Sequence, residues 1–142
     1  VDIWLGYQGY KEYVDNEAFD NLYRQAKNRL IKYPNYSIIK EYSIEALKKF
    51  EDESLDFVYI DANHREPYIT QDITNWSKKV KSGGIVSGHD YIRAKAEPGD
   101  VIDAVNRYTS EFDIKPWFVL GLSAKIPGLI RDNTRSWMWV KS

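Results

Sequence analysis

The run LDFVYID, Leu55 to Asp61, constrains this chain more than any other stretch. From Phe57 to Ile60 no polar residue alternates with the apolar ones. Such a run is not the half-buried strand of a sheet that faces water on one side. It predicts a strand covered on both faces, as in a parallel α/β sheet. A second run, GIVSG, ends at Gly88 and reads the same way. Both stop in polar clusters: Asp61 and His64 after the first, His89 and Asp90 after the second. These are the only two histidines of the chain.

Helical spacing fills the gaps between such runs. Phe19, Leu22, Tyr23, Ala26 and Leu30 make one apolar face, with Asp15 or Asn16 as cap and Pro34-Asn35 as stop. Ser43 caps a short helix carrying Ala46, Leu47 and Phe50. Ile69, Ile73, Trp76 and Val80 form the next stripe, which SGG at 82–84 is expected to end. Asp100, in EPGD, opens a helix with Val101, Val105, Tyr108 and Phe112 on one face. VDIW, YSIIKEY, PWFVLGL and SWMWVK read as further strands. Strands alternate with helices until the last two, which have no helix between them and are expected to pair antiparallel. The prediction is one α/β domain over 1–142, an open, mostly parallel sheet with helices on both faces.

The 142 residues carry a net charge of −1, which excludes the electrostatic footprint of a nucleic-acid or anionic-membrane binder. No apolar run reaches the ~18 residues of a membrane span. No signal peptide is expected, and the absence of cysteine excludes disulfides and thiolate metal ligands. A cytoplasmic setting follows as an expectation. High aromatic content, with 11 Tyr and 5 Trp, predicts interface surface and a homodimer. No G-x-G-x-x-G or G-x-x-x-x-G-K-[ST] occurs, which argues against a nucleotide-dependent enzyme built on those phosphate loops.

In open α/β sheets, ligands bind beyond the carboxyl ends of the strands. Here those ends carry Asp2, Ser43, Asp61 with His64, and His89 with Asp90. FVYIDANH at 57–64, SGGIVSGHDY at 82–91 and the closing SWMWVK occur in an order that resembles the class I S-adenosylmethionine-dependent methyltransferases. The closest likeness is to the branch that methylates hydroxyls of sugars and other small molecules. The resemblance implies a Rossmann-like sheet entered at the family's second strand, so that the family's first strand and Gly-rich loop would lie upstream of Val1. It implies S-adenosylmethionine as cofactor, with Asp2 on the ribose, Ile3 and Trp4 beside it, Ser43 and Ile44 at the adenine and Asp61 near the reacting methyl.

Asp61 and His64 are the expected catalytic residues, since a neutral imidazole takes a proton from a hydroxyl near neutral pH. His64 and Tyr91 are expected to meet the substrate. Asp61, His89 and Asp90 form a candidate ligand set for a divalent cation such as Mg²⁺ or Mn²⁺. His89 stands where the family more often has a carboxylate. Arg131 and Arg135 lie in a long loop, 123–135, of the kind that often forms a lid; solvation is the favoured reading for both arginines. The expected function is methyl transfer to a hydroxyl of a small-molecule substrate. The alternative is an inactive methyltransferase-fold fragment that serves as a binding or scaffold module.

Overall fold

The computed structural model describes residues 1–5, 15–93, 100–121, 128 and 134–142. The expected GYQGY loop, most of EPGD, and the 123–135 loop, Arg131 included, apart from Gly128, Thr134 and Arg135, lie outside the described residues. The chain divides into two compact units, Val1–Ala46 and Leu47–Ser142.

The first unit is built on α1, Asn16–Leu30. Asp15 is its cap, with Oδ1 accepting the Glu17 amide at 2.8 Å. Lys27 and Arg29 in the last turn complement the helix dipole. The apolar stripe expected of this helix is there, yet none of its residues is fully buried. Helix α2, Ser43–Ala46, follows. The strands expected at VDIW and YSIIKEY shrink to one parallel bridge, Asp2 to Lys40. Two bonds make it: the Asp2 amide donates to the Ile39 carbonyl and the Glu41 amide to the Asp2 carbonyl, both at 3.1 Å. A strand ladder needs repeated pairs, and Ile3 and Trp4 add none to this bridge.

The second unit carries a four-stranded mixed sheet in the order β1-β2-β4-β3. Its strands are β1, Leu55–Ile60; β2, Val80–Gly88; β3, Trp117–Leu120; and β4, Ser136–Val140. β1 and β2 are parallel, while β4 runs antiparallel to both β2 and β3. Helices α3, Tyr68–Lys79, and α4, Asp100–Glu111, pack on each other, and α3 also packs on β1 and β2. The register sets Ile60, Val86, Trp137 and Trp139 on one face, where all four are buried. Tyr108 of α4 stacks on Trp139, and Trp137 stacks on Trp139 at 5.2 Å. The other face presents Phe57, Tyr59, Phe118, Leu120 and Val140, all substantially exposed.

One boundary differs from expectation. Helix α3 stops at Lys79, and Val80 already begins β2 in extended conformation, so SGG lies inside the strand. The register against β1 shifts between Leu55 and Phe57, and this irregularity absorbs the extra residues. Bonds from the Gly83 amide to the Lys141 carbonyl, 2.7 Å, and from the Lys141 amide to the Gly84 carbonyl, 2.8 Å, hold the bulged segment. Gly88 permits a close approach: a Cβ there would lie 2.6 Å from the Ile60 carbonyl oxygen and collide with the Trp137 indole. Among the described residues no helix is long and apolar enough to cross a membrane.

Candidate active site

Parallel pairing of β1 with β2 sets Ile60 opposite Gly88, so the residues that follow both strands emerge side by side. The His89 amide donates to the Ile60 carbonyl at 3.0 Å and extends that alignment one residue. After β1, the Asn63 side chain accepts the Arg65 amide at 3.1 Å, and this Asx turn folds the chain back at His64. After β2, Asp90 takes a left-handed backbone with φ +56. Asp tolerates that region better than most side chains, but the conformation must be held. Three bonds hold it: the His89 amide to Ile60, the Tyr91 amide to the Arg135 carbonyl at 2.9 Å, and the Trp137 indole N–H to the His89 carbonyl at 3.1 Å.

The result is a cluster of two carboxylates and two imidazoles. His64 Nε2 lies 2.7 Å from Asp90 Oδ2 and 3.7 Å from Asp61 Oδ1. His89 Nδ1 lies 3.4 Å from Asp90 Oδ1 and 3.9 Å from Asp61 Oδ1. Asp90 and both histidines are largely covered, while the Asp61 side chain is half exposed. The His64 imidazole is the main influence that holds the Asp61 carboxyl below its ordinary range; partial burial opposes it, and the charges of His89 and His64 add to it. At 3.7 Å the His64–Asp61 interaction is electrostatic more than directed, whereas the 2.7 Å contact to Asp90 has hydrogen-bond length. Helix α3 has Pro67 at its cap position, so Asp61 is not spent on capping.

Asp61, His64 and Asp90 each offer a ligand atom, all within 4.8 Å of one another. The expected set contained His89 as its imidazole. The fold draws His64 into the group because the Asx turn returns it over Asp61, while His89 stands beside the group against Thr134. Two carboxylates and one imidazole fit a borderline cation such as Mn²⁺ better than Mg²⁺.

Tyr91, expected to meet substrate, has its hydroxyl on Asn106 Oδ1 at 3.1 Å, and its ring faces Trp117 and the Arg135 guanidinium. Arg135 is thus stacked on Tyr91, not merely solvated. Sequence reasoning missed Thr134, whose Oγ1 reaches the His89 ring, and Tyr59, whose hydroxyl lies 2.9 Å from Ser136 Oγ. No motif marks either residue; the antiparallel entry of β4 beside β2 brings them in.

The cofactor residues expected in the first unit are described within it. Asp2 lies in the bridge to Lys40, and its Oδ1 accepts the Trp4 amide at 3.0 Å. Ile3 is half-buried beside it. Trp4 has a left-handed backbone, φ +52, and meets the Tyr23 ring edge-on at 5.5 Å. Its indole Nε1 is buried with no hydrogen-bond partner among the described residues. Ser43 opens α2 half-buried, and Ile44 is exposed.

Residues 1–91 match the family described as a methyltransferase domain. The chain belongs to that family. The fold of the methyltransferase domain recurs in solved structures. A provisionally assigned O-methyltransferase from Klebsiella pneumoniae aligns with TM-score 0.56 at 11% identity, over 87% of this chain and 58% of that one. A provisionally assigned rRNA methylase from Clostridium thermocellum aligns with TM-score 0.58 at 15% identity, over 90% of this chain and 69% of that one. The domain therefore spans little more than half the length of the Klebsiella structure. At these identities the likeness is one of fold, the class I S-adenosylmethionine-dependent methyltransferase fold. The comparison with curated proteins gives no match.

Proposed function

We propose that this domain transfers the methyl group of S-adenosylmethionine to a hydroxyl of a sugar or another small hydroxylated molecule. The observation that carries the reading is the His64 imidazole, 2.7 Å from Asp90 at the carboxyl end of the parallel strand pair. Methyl transfer is an in-line displacement at a sulfonium carbon, for which the cofactor supplies the reactivity and the protein the alignment. A hydroxyl nucleophile must also lose its proton. Carboxylates only accept hydrogen bonds, so Nε2 of neutral His64 carries its proton toward Asp90. In this reading the His64 imidazole takes the proton of the substrate. Asp90 and Asp61 stabilise the imidazolium that forms.

In the first unit, Asp2 is the residue for the ribose hydroxyls, with Ile3, Ser43 and Ile44 toward the base. The Nε1 of Trp4, without a hydrogen-bond partner among the described residues, is a buried donor that a ligand would satisfy. A divalent cation fits Asp61, His64 and Asp90 by ligand type; with it bound His64 would be a ligand and not the base, and the cation would supply Lewis-acid activation of the hydroxyl instead.

Calorimetric titration of S-adenosylhomocysteine, with and without Mn²⁺ or Mg²⁺, tests the cofactor assignment. Micromolar binding, weakened by Asp2→Ala, supports it; no binding by the folded full gene product overturns it. A hydroxyl acceptor is tested by turnover on that product. Asp90→Ala and His64→Ala must each lower kcat at least 10²-fold, the usual contribution of general base catalysis.

The exposed apolar sheet face of Phe57, Tyr59, Phe118, Leu120 and Val140 favours a second reading, a binding or scaffold module. It stands if the folded product binds no cofactor.

A further inference from the structure

Arg135 has a place in the structure that this mechanism does not use. Its backbone runs beside the segment that follows β2. The Tyr91 amide donates to the Arg135 carbonyl at 2.9 Å, and Oγ1 of the preceding Thr134 lies 2.9 Å from the His89 ring. Arg135 is thus fixed level with the residue after Asp90. Its side chain is braced as well. A Cβ at Gly121 would stand 3.6 Å from Arg135 Cγ, so the aliphatic stem lies along that glycine. The guanidinium carbon stands 5.6 Å from the centre of the Tyr91 ring, within the range of a cation–π contact. Tyr91 is itself held, by its hydroxyl on Asn106 Oδ1 at 3.1 Å and by its ring 5.8 Å from that of Trp117.

The charge of this guanidinium sets it apart. In the same unit Arg93 pairs with Asp103 and Arg107 with Glu66. Arg135 is half-buried, yet among the described residues its guanidinium has the Tyr91 ring and no carboxylate. An aromatic ring covers the flat face of a guanidinium and leaves the in-plane N–H groups able to donate. Those donors form a fork that matches two oxygens of a carboxylate or a phosphate.

We infer that Arg135 is a specificity residue: it holds an anionic group, a carboxylate or a phosphate, on the molecule whose hydroxyl is methylated. The inference rests on the reading of His64 and Asp90 given above. It narrows that reading from any small hydroxylated molecule to hydroxy acids, uronic acids and sugar phosphates. The carboxylates of Asp61 and Asp90 repel a second anion, so the charged end of such a molecule is kept from the place of proton transfer and the hydroxyl is left to meet His64. Attachment at both ends fixes the orientation that an in-line displacement needs. The Tyr91 ring, expected to meet substrate, then acts as the platform that aims the guanidinium.

The test titrates three matched probes, glucose, glucuronate and glucose 6-phosphate, into the cofactor-free full gene product at low ionic strength. Nuclear magnetic resonance follows the Arg135 Nε–H and the Trp137 indole N–H, the second as a report on the fold. One of the two anionic probes is expected to move the Arg135 signal and to bind at least about tenfold more tightly than glucose; whichever does so identifies the anionic group. Arg135→Gln is expected to lower the affinity for that probe about 10- to 100-fold, the worth of a hydrogen bond between charged groups, with the Trp137 signal in place. Arg135→Lys, which keeps the charge and loses the fork, is expected to fall between the two. No preference of either anionic probe over glucose overturns the proposal. So does a preference that survives Arg135→Gln, an Arg135 signal unmoved by the bound anion, or an Arg135→Lys protein as weak as Arg135→Gln. These titrations contain no cofactor, so failure of S-adenosylhomocysteine to bind would sink the functional reading without changing them.

Discussion

The two units solve the problem of placing polar side chains in opposite ways. In Val1–Ala46, Asp2 sits on one isolated bridge, and helix α1 buries no residue fully. In Leu47–Ser142, Asp61, His64, His89 and Asp90 stand on a sheet anchored by fully buried tryptophans and valines. The lesson is energetic. A left-handed Asp90 costs roughly 1–2 kcal/mol, and only a rigid neighbourhood keeps it. The same core lets the second unit hold two imidazoles within 4 Å of two carboxylates, with one contact, His64 to Asp90 at 2.7 Å, of hydrogen-bond length. The first unit holds Asp2 beside a helix with no fully buried residue.

This contrast can be broken most directly at Trp137, which is fully buried and also holds the His89 carbonyl. Trp137→Ala is expected to cost about 3–5 kcal/mol in urea unfolding. Leu22→Ala, on the exposed face of α1, is expected to cost under about 1 kcal/mol. Equal losses would erase the distinction between the units.

A smaller effect is expected at Gly88. Its added methyl meets the Ile60 carbonyl and the Trp137 ring, and neither yields easily. Gly88→Ala should cost about 2 kcal/mol and shift the His89 and Asp90 resonances. A neutral result would show that β1 and β4 do not close on that glycine.

The cap of α1 comes next. Asp15→Ala removes the acceptor of the Glu17 amide and is expected to cost about 1 kcal/mol, seen as faster hydrogen exchange in the first turn of α1. Exchange in β2 should stay unchanged. If β2 exchanged faster as well, the two units would unfold as one.

The smallest expected effect is electrostatic. The folded Asp61 carboxyl titrates below its ordinary range, chiefly because of His64. A depressed carboxyl stabilises the fold at pH values above the ordinary aspartate range. That stability is lost as pH falls through the folded value. His64→Gln should therefore raise the Asp61 midpoint in a ¹³C carboxyl titration and remove this part of the acid limb. An unmoved midpoint would mean that His89 alone sets it.

Much of the second unit was legible before any coordinates. The unbroken run Phe57–Ile60 predicts β1, but not its cover: only one face is packed, and Phe57 and Tyr59 are exposed on the other. The stripe through Ile69, Ile73 and Trp76 predicts α3, because burial leaves a periodic trace in sequence. The helix-free link between the last two strands predicted their antiparallel pairing. Strand expectations failed at VDIW and YSIIKEY, where local β preference had only a single bridge to realise it. They were also inexact at SGG, since a bulge and a helix stop draw on the same residues.

By itself the amino-acid order determined that Asp61, His64, His89 and Asp90 follow the ends of two strands, because strand ends follow from where apolar runs stop. It did not determine which imidazole joins the two carboxylates. That was decided by the Asx turn at Asn63, the left-handed Asp90, and the arrival of Thr134 and Trp137 from about 45 residues further along the chain. Distances between residues so far apart are set by strand register and tryptophan packing, which no local pattern encodes.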